Sequence, residues 1–261
     1  MISWPIRSFE EILKKAEKLK LALRSPRLAL LLKGVIFGLL LNWYYAKDGS
    51  VFYAVFFAIF SLVLYIRPLF GAINYWRSFV VLMALLSLPP FFYQLLGFAR
   101  WTSVIIGALR FYLILGLKEL VLINRQAWHR LIFTLLLYGS IFAHFLMNDF
   151  NFFTRSLAVF LISFLLGGEF LRLNIVDINL KAARIFAFIF AFLIFQGLWI
   201  AGWLPIGFIN SANLVALSGF VFAEAAVNFY GGRFGRKMFF SRVIIWTLLA
   251  LFIFLTSRWL L

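Results

Sequence analysis

Along this chain the apolar positions fall neither on alternate residues nor on one helical stripe. They come in unbroken runs of about 18–22 residues, the length that crosses about 30 Å of hydrocarbon at 1.5 Å per residue. Polar residues collect in the short gaps between the runs. The pattern predicts spans over 28–46, 51–66, 79–98, 101–123, 128–147, 152–171, 185–204, 206–230 and 243–260. The fold class expected is therefore all-α: a polytopic transmembrane helical bundle of about nine spans.

One segment follows a different rule. Phe9, Ile12, Leu13, Ala16, Leu19 and Leu23 recur at helical spacing between residues 6 and 25. Lys14, Lys15, Lys18 and Lys20 share the remaining surface with Glu10, Glu11 and Glu17. Ser8 followed by Glu11 fits a capping box, and Pro26 marks the end. Residues 1–27 are thus expected to be a basic amphipathic helix in the cytoplasmic headgroup layer, and 28–261 the membrane bundle.

Composition agrees with lipid as the solvent. The chain is 65% hydrophobic and only 13% charged, too few charges to cover a soluble globule of 261 residues. The formal charge of +16 points at first to nucleic acid, but the cations sit in short loops between apolar runs rather than on one domain. No nucleic-acid partner is expected. With the N-terminus in the cytoplasm, the richer basic loops all fall inside: Arg67 and Arg77, Arg125 and Arg130, Arg172 with Lys181 and Arg184, and the 233–242 cluster. Nine spans then leave the C-terminus outside. The compact, short-looped form is expected of a prokaryotic cytoplasmic membrane. Lys14, Lys15, Lys18, Arg233, Arg236 and Lys237 are candidate contacts for anionic lipid headgroups.

The chain has no cysteine and two histidines, His129 and His144, near opposite ends of one predicted helix. Thiolate metal sites and a cysteine nucleophile are excluded, and the two histidines cannot share a metal. No phosphate or dinucleotide loop motif is present, and no cofactor is implied. The H-x-x-x-N and G-x-S-G patterns of rhomboid intramembrane proteases are met only in fragments. His144 and Asn148 fit the first, but Ala216 replaces the leading glycine before Ser218-Gly219, and no histidine follows to act as base.

Polar groups inside apolar runs are the remaining candidates, since charge at bilayer depth is costly. They are Arg110, Glu119, Glu169, Asn210, Asn213 and Glu224. The three glutamates are 50 and 55 residues apart, which allows parallel helical-hairpin repeats around 101–230. Glu169 also stands three residues before Arg172, a pairing distance on a helix. Pro89-Pro90 is expected to kink the third span. Without a catalytic set, the expected function is a non-catalytic membrane-embedded subunit or scaffold of a larger complex, with partner subunits and membrane lipids around it. The alternative is a small transporter or lipid-translocating protein with a polar path involving Arg110, Asn213 and Glu224.

Overall fold

The computed structural model describes residues 26–47, 50–66, 75–87, 100–119, 121, 124–147, 151–175, 178–232 and 235–257. The amphipathic segment, with Lys14, Lys15 and Lys18, lies outside them, as do Pro89-Pro90 and Arg233. The described residues form nine helices and no strand. They are α1 (Pro26–Ala46), α2 (Val51–Ile66), α3 (Trp76–Ser87), α4 (Arg100–Lys118), α5 (Arg125–Leu146), α6 (Phe152–Asn174), α7 (Leu180–Trp203), α8 (Phe208–Tyr230) and α9 (Arg236–Thr256).

Six of them, α1 and α4 to α8, are long and apolar enough to cross a membrane. The other three are shorter as apolar elements. At 1.5 Å per residue, the 16 residues of α2 reach about 24 Å and the 12 of α3 about 18 Å. The apolar part of α9 is Phe240–Thr256. Among the described residues, six helices thus meet the length and composition of a span and three apolar helices are shorter, so the expected count of nine is not confirmed. The third expected span, 79–98, is helical as far as Ser87, and its remainder lies outside the described residues. The seventh begins five residues earlier than its apolar run, at Leu180, so Lys181 and Arg184 belong to the first turns of α7 rather than to a loop.

Asparagine sets three of the starts. The Oδ1 atoms of Asn124, Asn151 and Asn179 accept from the backbone N–H of Ala127, Phe153 and Lys181. Each satisfies one of the orphan donors of a first turn, worth about 1 kcal/mol. At the start of α8, Gly207 takes a φ of 75°, which a side chain would resist.

The helices divide into two compact units. One comprises residues 1–71 and 97–123, the other 72–96 and 124–261. In the first, α1 packs antiparallel on α4. Gly34 and Gly38, four apart on one face, let α1 approach closely: a Cβ would lie 3.5 Å from Tyr112 Cβ at Gly34 and 3.2 Å from Ala108 Cβ at Gly38. This is small-residue packing, the usual way helices approach in lipid. Phe37 stacks on Phe111 at 4.0 Å, and Phe57 of α2 closes on Phe37 at 5.3 Å.

In the second unit α6 packs on α7, α7 on α8, and α8 on α5. Glycine again fixes the approach. A Cβ on Gly167 would fall 2.9 Å from the Phe190 ring, and one on Gly219 would fall 2.6 Å from Ile194 Cδ1. Large apolar side chains are exposed along the helices of both units. Leu248, Phe252 and Leu255 of α9, Ile200 and Trp203 of α7, and Ile105 of α4 are all exposed. Such a surface in contact with water would be a liability; around six long apolar helices it marks an integral membrane protein.

Candidate functional site

The second unit contains a chain of polar side chains linking four helices. Glu169, in the last turns of α6, is 3% exposed. One carboxylate oxygen accepts from the backbone N–H groups of Arg77 and Ser78, at 3.1 and 3.2 Å. The other accepts from the Ser78 hydroxyl and lies 3.6 Å from His129 Nε2. The two N–H groups belong to the first turn of α3. Glu169 thus caps that helix from outside, an anion at the positive end of its dipole. Gly168 makes room beside it, because a Cβ there would come within 2.5 Å of Arg77 Nη1. Tyr75, just before α3, has its phenol raised above the ordinary value by burial, with Arg125 opposing and Glu169 adding to the shift.

The chain continues through the start of α5. His129 Nδ1 lies 3.5 Å from Asn174 Nδ2. Asn174 Oδ1 accepts from Arg130 Nε at 3.0 Å, and Arg130 Nη1 lies 3.5 Å from Glu224 of α8. Glu224 is 6% exposed. Each link gives a charged or amide group a partner on another helix, the condition for tolerating it in a dry interior.

In the first unit, charge gathers at the end of α4, where Lys118 interacts electrostatically with both Lys33 and Glu119. Glu119 pairs with Lys33 of α1, their side chains 12% and 18% exposed. Lys118 Nζ donates to Tyr65 O and Ile66 O, the latter at 3.3 Å. Those carbonyls end α2, so Lys118 is a cation at the negative end of a helix. Arg110 lies near the middle of α4, and its Nε has no hydrogen-bond partner.

Helix ends therefore account for several of the intramembrane charges. Lys118 closes the C-terminus of α2 and Glu169 the N-terminus of α3, the two shortest helices. In the second unit, Arg155 Nη1 donates to His144 O in the last turn of α5 at 2.7 Å. The signs are those the dipoles require. A helix that stops short of the headgroups has no water to satisfy its last N–H or C=O groups, so another side chain must do it.

The polar residues of α8 are mostly occupied locally. Asn210 Nδ2 donates to Ile206 O, Ser218 Oγ to Leu214 O and Asn228 Nδ2 to Glu224 O, each one turn back. Asn213 Oδ1 accepts from the Tyr138 hydroxyl at 3.0 Å. Ser218, the residue compared with a protease serine, also accepts from Trp246 Nε1 at 3.1 Å.

Of the residues singled out in the sequence, the structure joins Glu169 and Glu224 in one network. Asn213 and Glu224 share α8, but eleven residues separate them, about 16 Å of helix. Arg110 and Glu119 belong to the first unit. Arg236 and Lys237 are exposed at the start of α9. Glu169 turns to α3 and His129 rather than to Arg172, which stands on its own helix. Sequence reasoning missed Ser78, His129, Arg130 and Asn174. Each stands at a helix end, where polar residues are ordinary, so no local signal distinguishes them.

Two cavities lie in the second unit. One, of about 190 Å³, is lined by Leu85, Ala143, His144, Met147, Arg155 and Val159, among others. The His144 ring is packed edge-on against Phe145 and Phe152, at 5.0 and 4.8 Å. The second, of about 360 Å³, lies among α7, α8 and α9. Neither is lined by Asn210, Asn213, Glu169 or Glu224. Among the described residues no group of three or more His, Asp or Glu could hold a metal. Comparison with protein-family models, with curated proteins and with solved structures finds no match to this chain.

Proposed function

We propose that this chain is a non-catalytic, membrane-embedded subunit or scaffold that presents helix faces to partner proteins and lipids. The observation that carries this reading is the use made of Glu169. The most buried carboxylate of the described residues is engaged by two backbone N–H groups, a hydroxyl and a histidine, all of them structural contacts. A general acid or base needs a reachable proton, and an ion site needs open coordination positions. Glu169 offers neither. Lys118 and Arg155 are engaged in the same architectural way.

The outer faces support the reading from the other side. Helix α9 buries only Ala250 and Ser257 among its described side chains and the residue that ends it, and leaves Phe240, Leu248, Phe252 and Leu255 open. A face of that kind suits lateral association within a bilayer. The transport reading has less support. Its proposed path requires Arg110, Asn213 and Glu224 to share a polar route, yet Asn213 and Glu224 are each bonded to a different neighbour. We place the N-terminus and the basic 233–242 cluster on the cytoplasmic side on the distribution of lysine and arginine alone.

Purification of the tagged chain in a gentle detergent, with mass spectrometry of everything retained, tests the proposal. A stoichiometric protein partner is the expected result. A monodisperse chain that carries a bound small solute and no partner overturns it in favour of transport.

A further inference from the structure

The larger cavity has features that the scaffold reading leaves unexplained. It is an open groove, walled by Phe190 and Leu193 of α7, Val215 and Phe222 of α8, and Val243 and Trp246 of α9. Its only polar lining atoms are already engaged with each other, Trp246 Nε1 donating to Ser218 Oγ, which itself donates to Leu214 O. The groove therefore offers a guest nothing but hydrocarbon contact. Its volume of about 360 Å³ is more than twice the roughly 150 Å³ of a dry cavity that accepts benzene.

Its length fits the membrane. On α8 it runs from Val215 to Ala225, ten residues or about 15 Å. That is half of a hydrocarbon core about 30 Å thick, the depth of one leaflet. Gly197 and Gly219 help to open it, since a side chain at either would meet Val215 or Ile194.

Its shallow end is basic. Val243 stands seven residues after Arg236, so the two share one side of α9, with Arg242 adjoining. Lys237 is the next residue. None of Arg236, Lys237 and Arg242 pairs with an acidic side chain among the described residues. The first turn of α9 has no acid, and Gly235 before it supplies no side-chain cap. Arg236 and Lys237 there run against the helix dipole, which would prefer anions, and Arg242 adds a third cation further along the helix. An external anion reconciles them.

From the apolar groove of one-leaflet depth and the cations near its mouth, which pair with no acid among the described residues, we propose that this is a selective site for an anionic phospholipid. One acyl chain lies between α7, α8 and α9, and the phosphate meets Arg236, Lys237 and Arg242. The occupant is a phospholipid rather than a protein helix because the groove takes one chain, and because the guest must be anionic at one end and pure hydrocarbon at the other.

Bromine on an acyl chain quenches tryptophan on contact, and Trp246 lines the groove. The full chain is reconstituted in phosphatidylcholine vesicles with a minor fraction of brominated phosphatidylglycerol or, in parallel, brominated phosphatidylcholine. The difference between wild type and Trp246→Phe isolates the Trp246 signal. Brominated phosphatidylglycerol should quench it several-fold more strongly than brominated phosphatidylcholine at equal fraction. Each cation near a membrane surface is worth roughly five-fold in affinity for anionic lipid. The variant with Arg236→Gln, Lys237→Gln and Arg242→Gln should therefore lose most of that preference while retaining its fold, because Arg236 and Lys237 are exposed and Arg242 is only half-buried. Ala225→Leu should block the groove and reduce quenching by both lipids. Equal quenching of wild type by the two lipids overturns the headgroup assignment. Undiminished quenching in a folded Ala225→Leu overturns the groove.

Discussion

The two units meet the same problem, charge among apolar helices, in different ways. In the first, Lys33–Glu119 joins α1 to the end of α4 and the adjacent Lys118 caps the α2 carbonyls, a small cluster of charges at one place. In the second, Ser78, Glu169, His129, Asn174, Arg130 and Glu224 are joined so that four helices share one set of contacts. A small cluster has few partners to lose. A connected network transmits a loss, because removing one member leaves its neighbours as buried donors and acceptors without partners. The difference teaches where this chain keeps its structural specificity: at the end of the second unit where α3 starts, not in the first.

The strongest way to break that comparison is at Glu169. Glu169→Ala removes an acceptor from two backbone N–H groups and from the Ser78 hydroxyl, and leaves His129 without its carboxylate. Losing a cap costs about 1 kcal/mol and breaking a buried pair about 3 kcal/mol or more, so a loss of about 3 kcal/mol or more is expected. Thermal unfolding in detergent measures it. Glu169→Gln keeps one acceptor oxygen and should lose about half as much. A Glu169→Ala protein as stable as wild type would mean that the network does not hold α3, and that Glu169 is free for some other use.

Much of the architecture is legible before any coordinates. The run 51–66 is the helix Val51–Ile66 without change, and 28–46 and 128–147 move by only a few residues. Apolar runs closed by turns or charges leave little freedom. The start of α7 is less legible because Asn179 caps it outside the apolar run, through local polar chemistry rather than hydropathy. The glutamates are legible as unusual residues, but their partners are not. Lys33 and Glu119 are 86 positions apart, and Ser78 and Glu169 are 91. Only the packing of antiparallel helices brings them together, and nothing in a single sequence encodes that register. The small-residue pair Gly34 and Gly38 is a signal that was present and could have located the α1–α4 contact.

A smaller effect is expected at Lys33–Glu119. Its side chains are partly open, so the coupling between Lys33→Met and Glu119→Gln in a double-mutant cycle should be about 1 kcal/mol. Helices α2 and α3 should respond separately. A cycle that returned a coupling as large as the Glu169 loss would erase the distinction between a small cluster and a network that spans four helices.

The smallest effect is expected at Arg110, and its sign is the informative part. The guanidinium sits near the middle of α4 with its Nε unpartnered, so it bears a desolvation cost that no contact at that atom offsets. Arg110 is half-buried, and replacing a poorly satisfied charge in such a place by an apolar residue of similar reach is often neutral or stabilising. Arg110→Leu should therefore leave unfolding within about 1 kcal/mol of wild type, on the stabilising side. If so, the residue is kept for something other than stability, and the retained partner or lipid is where its loss should be felt. Should Arg110→Leu instead destabilise more than Glu119→Gln, the first unit would hold a structural contact at mid-helix as well as at its ends. The contrast with the second unit would then be one of degree only.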